Sequence, residues 1–270
     1  MRENPLGKST EYPGEYDPTL LFAIERSDAR AATGIGPELP FRGTDIWNAW
    51  ELTWLDPSGK PIVATAVIAI DATSPNIVES KSLKLYLNSL AMTRYASSDH
   101  VAALLESDLS GAAGDHVVVT VTPAADSTDS PVSEFPGLCI DDLNIPAASG
   151  TVDARLLRCE KSAAVTEELH SHLLRSNCPV TNQPDMGSVL IRYSGPKIDR
   201  ASLLSYIVSY RQHNDFHEAC VERIFLDIKR HCAPASLTVY ARYNRRGGLD
   251  INPFRTDTSE SPDNLRLWRQ

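Results

Sequence analysis

Hydrophobic and polar residues alternate with period two early in the chain, a pattern typical of half-buried β-strands. Residues 50–55 alternate in this way, and residues 61–70 are rich in β-branched side chains. Between them, residues 56–59 (Asp-Pro-Ser-Gly) have the composition of a turn. Together the three segments predict a β-hairpin.

The segments around this hairpin predict an arm, two helices and a further strand. The chain up to Arg42 is rich in proline, glycine and charge, so we expect an extended arm that lies over the domain. The leucines of residues 83–90 share one helical face, with a serine available as the N-cap. Residues 100–109 predict a second helix, and residues 117–121 predict a strand.

The second half repeats this order after a stretch rich in proline, serine, aspartate and glycine, residues 123–149, which predicts a linker. The repeated elements are two strands around 169–175 and 187–193, helices around 201–210 and 216–228, and a closing hairpin at 237–243 and 249–252. The sequence therefore predicts an α+β protein of two tandem modules, residues 1–150 and 151–270. In each module, an antiparallel ββαα(ββ) sheet carries helices on one face.

Composition narrows the class of protein. The chain has 270 residues, 42% of them hydrophobic, and a formal net charge of -9, so a broad nucleic-acid surface is not expected. No apolar run reaches membrane-spanning length, and no signal-peptide core follows the start, so we expect a cytoplasmic protein. The five cysteines are an odd number without a C-x-x-C pair, which indicates reduced thiols.

Cys178 and Asp185 are the first candidates for chemistry. They stand in a turn punctuated by Pro179 and Pro184, between two predicted strands. A thiolate is a strong nucleophile near neutral pH, and a nearby carboxylic acid can protonate the anion that its attack creates. An inert buried cysteine and a turn carboxylate explain the same pattern.

A second candidate site lies at residues 213–218. His213 and His217 stand four residues apart, a spacing at which two histidines on a helix can ligate one metal ion. Asn214 and Asp215 instead predict that a helix begins after His213. Glu218 would then suit the adjacent N–H and amino donors of a guanine-like base, or simply favour the helix dipole.

Two further stretches can bind phosphate. Residues 78–82 predict a helix start, where free backbone N–H groups, Lys81 and two hydroxyl groups can hold an anion. A capped helix with a solvated lysine is the alternative. In residues 245–248, two glycines permit close backbone approach and two arginines can grip phosphates, although a surface hairpin explains this stretch almost as well.

These stretches occur together, and in the same order, in one known family. Residues 79–86, 178–185, 213–218 and 245–253, together with residues 6–12, resemble the NADPH-dependent 7-cyano-7-deazaguanine reductases. These are the nitrile reductases of queuosine biosynthesis, and the resemblance is to their long, two-module form.

The resemblance implies tunnelling-fold (T-fold) modules that assemble into a barrel. It implies that Cys178 attacks the nitrile carbon to form a covalent thioimide, that Asp185 donates a proton, and that two NADPH molecules deliver two hydrides in sequence. The implied substrate-binding residues are Val78, Glu79, Ser80, His217 and Glu218. The implied cofactor-binding residues are Ser80, Lys81, Arg246 and Gly247.

On this basis we expect an oxidoreductase that uses NADPH and acts on a small deazapurine. We expect a homo-oligomer, most simply a homodimer. We expect no metal ion, no direct contact with nucleic acid and no membrane binding. Two other functions fit the residues. One is a zinc-dependent cyclohydrolase of the same fold, based on His213, His217 and nearby thiols. The other is a non-catalytic purine-binding module in which Cys178 only packs. The remaining cysteines are expected to be core or redox-silent: Cys139, Cys159, Cys220 and Cys232.

Overall fold

The computed structural model describes residues 13–127, 131–146 and 150–270. Contacts divide these residues into two compact units. The first unit contains residues up to 32, residues from 45 up to the first gap, and residues 245–250; the second contains the rest. The division into modules 1–150 and 151–270 stays a prediction. The resemblance at residues 6–12 lies outside the described part of the chain.

The first unit is built on an antiparallel sheet with two helices of ten residues or more. Its elements, in chain order, are β1 (Ala23–Glu25), α1 (Arg26–Thr33), β2 (Arg42–Leu55), β3 (Pro61–Asp71), β4 (Asn76–Val78), α2 (Ser80–Ser89), α3 (Ser98–Ala113) and β5 (Val117–Pro123). The strand order β5-β3-β2 confirms the predicted hairpin, with a longer first strand than expected. Buried residues such as Ile68, Leu105 and Val117 form the core beneath α3.

Two local expectations for this unit are wrong. The segment before Arg42 is not simply extended, because it contains α1, and β1 pairs with β4 in the register Ala23↔Val78. The N-cap of α2 is Glu79 and not a serine, since the Glu79 carboxylate accepts the N–H groups of Lys81 and Ser82. A glutamate is long enough to reach both groups, which the preference for short N-cap side chains does not anticipate.

The second unit contains a larger sheet and two helices. Its elements are β6 (Val132–Ser133), β7 (Leu138–Cys139), β8 (Cys159–Asn177), β9 (Pro184–Ile198), α4 (Arg200–Val208), α5 (His217–Cys232), β10 (Ser236–Tyr243), β11 (Leu249–Thr256) and β12 (Arg266–Leu267). The strand order is β11-β10-β9-β8-β7, antiparallel except that β7 runs parallel to β8. The expected linker is thus partly ordered, since it contributes β6 and β7.

Helix α5 forms the centre of the second core. The predicted apolar face is confirmed, because Cys220, Ile224 and Ile228 are completely buried. Phe216 stands one position before the helix as its N-cap residue. The mixed α+β class is confirmed by both units. Within the described residues, no helix combines the length and apolar character that crossing a membrane requires.

A buried ion pair links α5 to β11. Arg255 is fully buried, and its Nε and Nη2 atoms donate to Glu222 Oε1 at 3.1 and 2.9 Å. Removing one partner leaves the other charge buried without its counter-charge, which is far more costly than the pair itself is stabilising.

We therefore expect Glu222→Ala to lower the free energy of unfolding by about 3–5 kcal/mol, measured as a shift of the urea midpoint. Arg155→Ala is the control, because it breaks a surface pair with Asp153 and should leave the midpoint almost unchanged. Equal midpoints for the two variants would contradict a structural role for the buried pair.

Candidate active site

The turn of residues 178–183 connects β8 to β9 and contains Cys178. Its backbone closes on itself, since Cys178 N–H donates to Gln183 O at 2.9 Å and Asn182 N–H donates to Cys178 O at 3.0 Å. Asn182 adopts a φ of 56°, in the left-handed region that asparagine tolerates better than most residues. The turn therefore holds Cys178 in a fixed position at the end of the hairpin.

A backbone bridge joins the end of β8 to the segment before α5. Asn177 N–H donates to His213 O at 2.8 Å, and Asp215 N–H donates to Asn177 O at 3.1 Å. The side chain of Asn214 adds two bonds, donating to Cys178 O at 3.3 Å and to Asn182 Oδ1 at 2.9 Å. These bonds place the first turn of α5 beside the cysteine turn.

Asp185 lies on the same hairpin as Cys178. It pairs in register with Ser176, and residues paired in this way share a face of the sheet. Cys178 follows Ser176 by two positions and begins the turn that joins the two strands. Asp185 is buried, and its Oδ1 lies 3.8 Å from Nε2 of His217. The structure thus brings Asp185 and His217 together, and it places Cys178 in the turn of the hairpin that carries Asp185.

Tyr243 fixes the ring of His217, a contact that the sequence did not predict. The two ring centroids are 4.1 Å apart and the rings meet edge to face at 85°. Gly187 stands opposite Tyr243, and a Cβ there would lie 3.0 Å from Cδ1 of the tyrosine ring. Burial raises the pKa of the Tyr243 hydroxyl well above its usual value, so it is neutral. Gly187 lies inside a predicted strand, and a glycine at such a position is the sequence signal of a close approach like that of the Tyr243 ring.

The two cysteines nearest this site have different environments. Cys220 is completely buried on α5, and burial raises the pKa of its thiol, which keeps it protonated. Cys178 keeps 8% of its surface exposed. Both cysteines are buried, and the one in the turn retains slightly more exposed surface than the one on the helix.

The remaining residues of the 213–218 stretch are now placed as well. Glu218, 4% exposed, lies in the first turn of α5, as predicted from Asn214 and Asp215. His213 precedes the helix, and its Nε2 lies 3.5 Å from Asp215 Oδ2. His213 and His217 therefore do not have the helical i, i+4 arrangement on which metal ligation was based.

In the first unit, Glu79 is the residue that orders the candidate binding stretch. Its carboxylate oxygens accept Lys81 N–H at 2.8 Å and Ser82 N–H at 2.7 Å, and the residue is 1% exposed. These N–H groups are thus not open to a phosphate, which agrees with the capped helix that was the alternative for this helix start. Val78 is buried at the end of β4, while Ser80 and Lys81 are half-buried.

The glycine turn at residues 245–248 also belongs to the first unit. Gly247 and Gly248 have φ values of 57° and 76°, the pair of positive values that a type I′ hairpin turn requires. A Cβ at Gly247 would lie 3.3 Å from Cδ of Lys84, so the turn lies against α2. Arg246 and Gly247 are therefore neighbours of the helix that begins with Ser80 and Lys81.

Comparison with protein families gives two matches. The model described as "Nitrile reductase, 7-cyano-7-deazaguanine-reductase N-term" matches residues 12–121, and the model described as "QueF-like protein" matches residues 184–262. The chain belongs to the 7-cyano-7-deazaguanine reductase family. It contains both modules of this family of nitrile reductases, as the sequence resemblance predicted.

One solved structure offers a weaker comparison. It is titled "Crystal structure of the archaeosine synthase QueF-Like in the apo form" and is 18% identical to this chain. The alignment covers 37% of this chain and 96% of that chain, with a TM-score of 0.31. A likeness of this extent carries no argument about fold or activity.

The matched segments of this nitrile reductase family member include most of the candidate site residues. Val78 to Lys81 lie in the first segment, and Asp185, His217, Glu218, Arg246 and Gly247 lie in the second. Cys178 falls between the two segments. Its assignment therefore depends on the geometry of its turn and on the surrounding motif.

The backbone of Asn182 offers a test of how the turn holds Cys178. Asn182→Ala and Asn182→Gly both remove the side-chain bond from Asn214, but only alanine is strained at a positive φ, by roughly 1–2 kcal/mol. We expect Cys178 to react faster with a thiol reagent in the alanine variant than in the glycine variant, measured by peptide mass spectrometry. Equal rates would show that the left-handed conformation does not constrain the turn.

Proposed function

We propose that this protein reduces the nitrile of 7-cyano-7-deazaguanine to the primary amine of 7-aminomethyl-7-deazaguanine, with NADPH as reductant, in the biosynthesis of queuosine for tRNA. The observation that supports this proposal most directly is the position of Cys178. It lies in a hydrogen-bonded turn at the end of the hairpin that also carries the buried Asp185.

In the proposed reaction, the sulfur of Cys178 attacks the nitrile carbon and forms a C–S bond. One electron pair of the C≡N bond moves to nitrogen, which takes a proton from Asp185. The product is a thioimide, whose protonatable C=N bond accepts a hydride more readily than a nitrile does. When bound, NADPH supplies a hydride to this carbon in each of two reductions. After the first hydride, the nitrogen lone pair expels the Cys178 thiolate, so the C–S bond breaks and a C=N bond is restored. This bond accepts the second hydride, and protons complete the amine.

The neighbours of Asp185 have supporting roles in this proposal. His217, 3.8 Å away and fixed by the Tyr243 ring, is placed to exchange the proton that Asp185 delivers. Glu218, the next residue in the sequence, is also buried. Its carboxylate suits the adjacent N–H and amino donors of the deazaguanine base. Val78, Glu79 and Ser80 are the proposed substrate contacts of the first unit.

The first unit also contains residues that fit a nicotinamide dinucleotide phosphate. Lys81 and Arg246 are cations suited to phosphate groups, and Lys84 lies against the same glycine turn. Gly247 permits the backbone to approach a ligand closely. Ser80, Lys81, Arg246 and Gly247 are therefore the residues that we propose to hold NADPH. We also propose that two copies of the chain form a homodimer in which the T-fold modules close a barrel. Static light scattering would measure the molar mass of this dimer in solution.

The covalent step predicts an adduct that forms without reductant. Protein incubated with the cyano substrate and no NADPH should gain the whole mass of the substrate, since addition to a nitrile releases no leaving group. Cys178→Ala should gain no mass. Cys139→Ala is the matched control, because Cys139 is the exposed thiol and its loss should leave the adduct intact. An adduct that persists in Cys178→Ala, or never forms in the parent, would sink the mechanism.

The role of Asp185 as proton donor predicts a selective loss of turnover. Asp185→Asn is nearly isosteric but transfers no proton, so we expect NADPH oxidation to slow by roughly 100- to 10,000-fold, with an unchanged urea midpoint. Asp99→Asn, at an exposed aspartate of α3, should have no effect on either quantity. A rate near that of the parent enzyme would show that the proton comes from another group.

A further inference from the structure

Three potential metal ligands meet in the second unit, apart from the candidate active site. The parallel pairing of β7 with β8 sets Cys139 directly opposite His170. His172 follows His170 by two positions on β8, and the centroids of the two imidazole rings are 5.3 Å apart. The strand register thus collects a thiol and two imidazole rings on one face of the sheet.

The ligand atoms of this group are close enough to share one ion. One atom from each of Cys139, His170 and His172 lies within 4.8 Å of the other two. A tetrahedral zinc ion, with Zn–S near 2.3 Å and Zn–N near 2.0–2.1 Å, needs ligand separations of about 3.3–3.6 Å. Cys139 is exposed at the end of the short strand β7. A rotation of its side chain can therefore bring the sulfur closer to the two imidazole nitrogens.

The hydrogen bonds of the two rings leave the second nitrogen of each for a metal ion. His170 Nδ1 lies 3.0 Å from the carbonyl oxygen of Pro136, which only accepts, so Nδ1 carries the proton and Nε2 has the lone pair. His172 Nδ1 lies 2.8 Å from Oγ of Ser188. Histidines that bind metals are typically oriented in this way, by a partner on the other ring nitrogen.

The charges around the group also favour a cation. The carboxylate of Asp141 accepts Ser171 Oγ at 2.6 Å and His172 N–H at 3.0 Å, which fixes a negative charge beside the ligands. Arg269, which donates to His172 O at 2.7 Å, places a positive charge near the group that opposes the effect of Asp141.

We propose that Cys139, His170 and His172 form a zinc(II) site, with a water molecule as the fourth ligand. One thiolate and two imidazoles are a ligand set suited to zinc, and three protein ligands leave one position open. On binding, the thiol of Cys139 loses its proton to solvent and its sulfur forms the Zn–S bond. The ion would fasten the segment that contains β7 to β8, independently of nitrile reduction.

The test uses the full chain, freed of metal by a chelator and dialysed, and titrated calorimetrically with zinc chloride alone. A Cys178→Ala background removes the active-site thiol as a competing ligand. We expect one zinc ion per chain. Cys139→Ser and His170→Leu should each weaken binding by at least about ten-fold, whereas Cys159→Ser, a matched change at another partly exposed cysteine, should not alter it.

Two further measurements identify the ligands. Cobalt(II) in place of zinc should give a thiolate-to-metal charge-transfer absorption that Cys139→Ser abolishes and Cys159→Ser retains. Zinc should also raise the unfolding temperature of the parent but not of Cys139→Ser. The proposal is overturned if zinc binds equally well to Cys139→Ser and His170→Leu, if Cys178→Ala alone removes binding, or if no zinc binds. Since none of these readouts involves turnover, they are independent of the proposed reductase activity.

Discussion

The candidate active site depends on the backbone bridge between Asn177 and residues 213–215. Cys178 and Asp185 come to the same place through the β8–β9 hairpin, which is a local structure. His217 and Glu218 come to it only because Asn177 exchanges hydrogen bonds with His213 and Asp215 immediately before α5 begins. A backbone bridge tolerates side-chain variation but no shift in register, because slipping it by one residue would move the start of α5, and His217 with it, relative to Asp185.

Glu79 imposes a comparable constraint in the first unit, where it caps a helix and is also a proposed substrate contact. Its carboxylate satisfies two N–H groups that would otherwise be orphaned at the start of α2. A base that hydrogen-bonds to Glu79 must therefore share these oxygens with the helix or displace them. Sharing is feasible, since an ionised carboxylate has about four lone-pair sites and the two caps occupy two of them. The cap would then orient the carboxylate for its ligand at no cost in helix stability.

Most secondary structure was predictable because hydrophobic periodicity reports burial along a single element. The strand that runs into Cys178, the buried face of α5 and the turn that contains Gly247 and Gly248 were predicted correctly from local pattern. Contacts between distant segments were not: Tyr243 against His217, and β7 beside β8, have no local signature. For the same reason, metal ligation was considered at His213 and His217, which are close in sequence, and not at Cys139, which lies opposite His170 through parallel pairing.

Environment explains why cysteines of one chain suit different chemistry. A thiolate is at once the nucleophile and the metal ligand, so the neighbours decide which role is open. Cys220 can serve neither as a nucleophile nor as a metal ligand, because full burial keeps its thiol protonated. Cys139 is exposed, and its sulfur lies within 4.8 Å of a nitrogen of each of two imidazole rings. Burial, together with the charge of Asp141, raises the pKa of its thiol. The thiol therefore stays protonated until a cation competes with the proton for the sulfur. Cys178 lies in a hydrogen-bonded turn on the hairpin that carries Asp185, and the proposed addition to a nitrile requires such a thiol together with an acid.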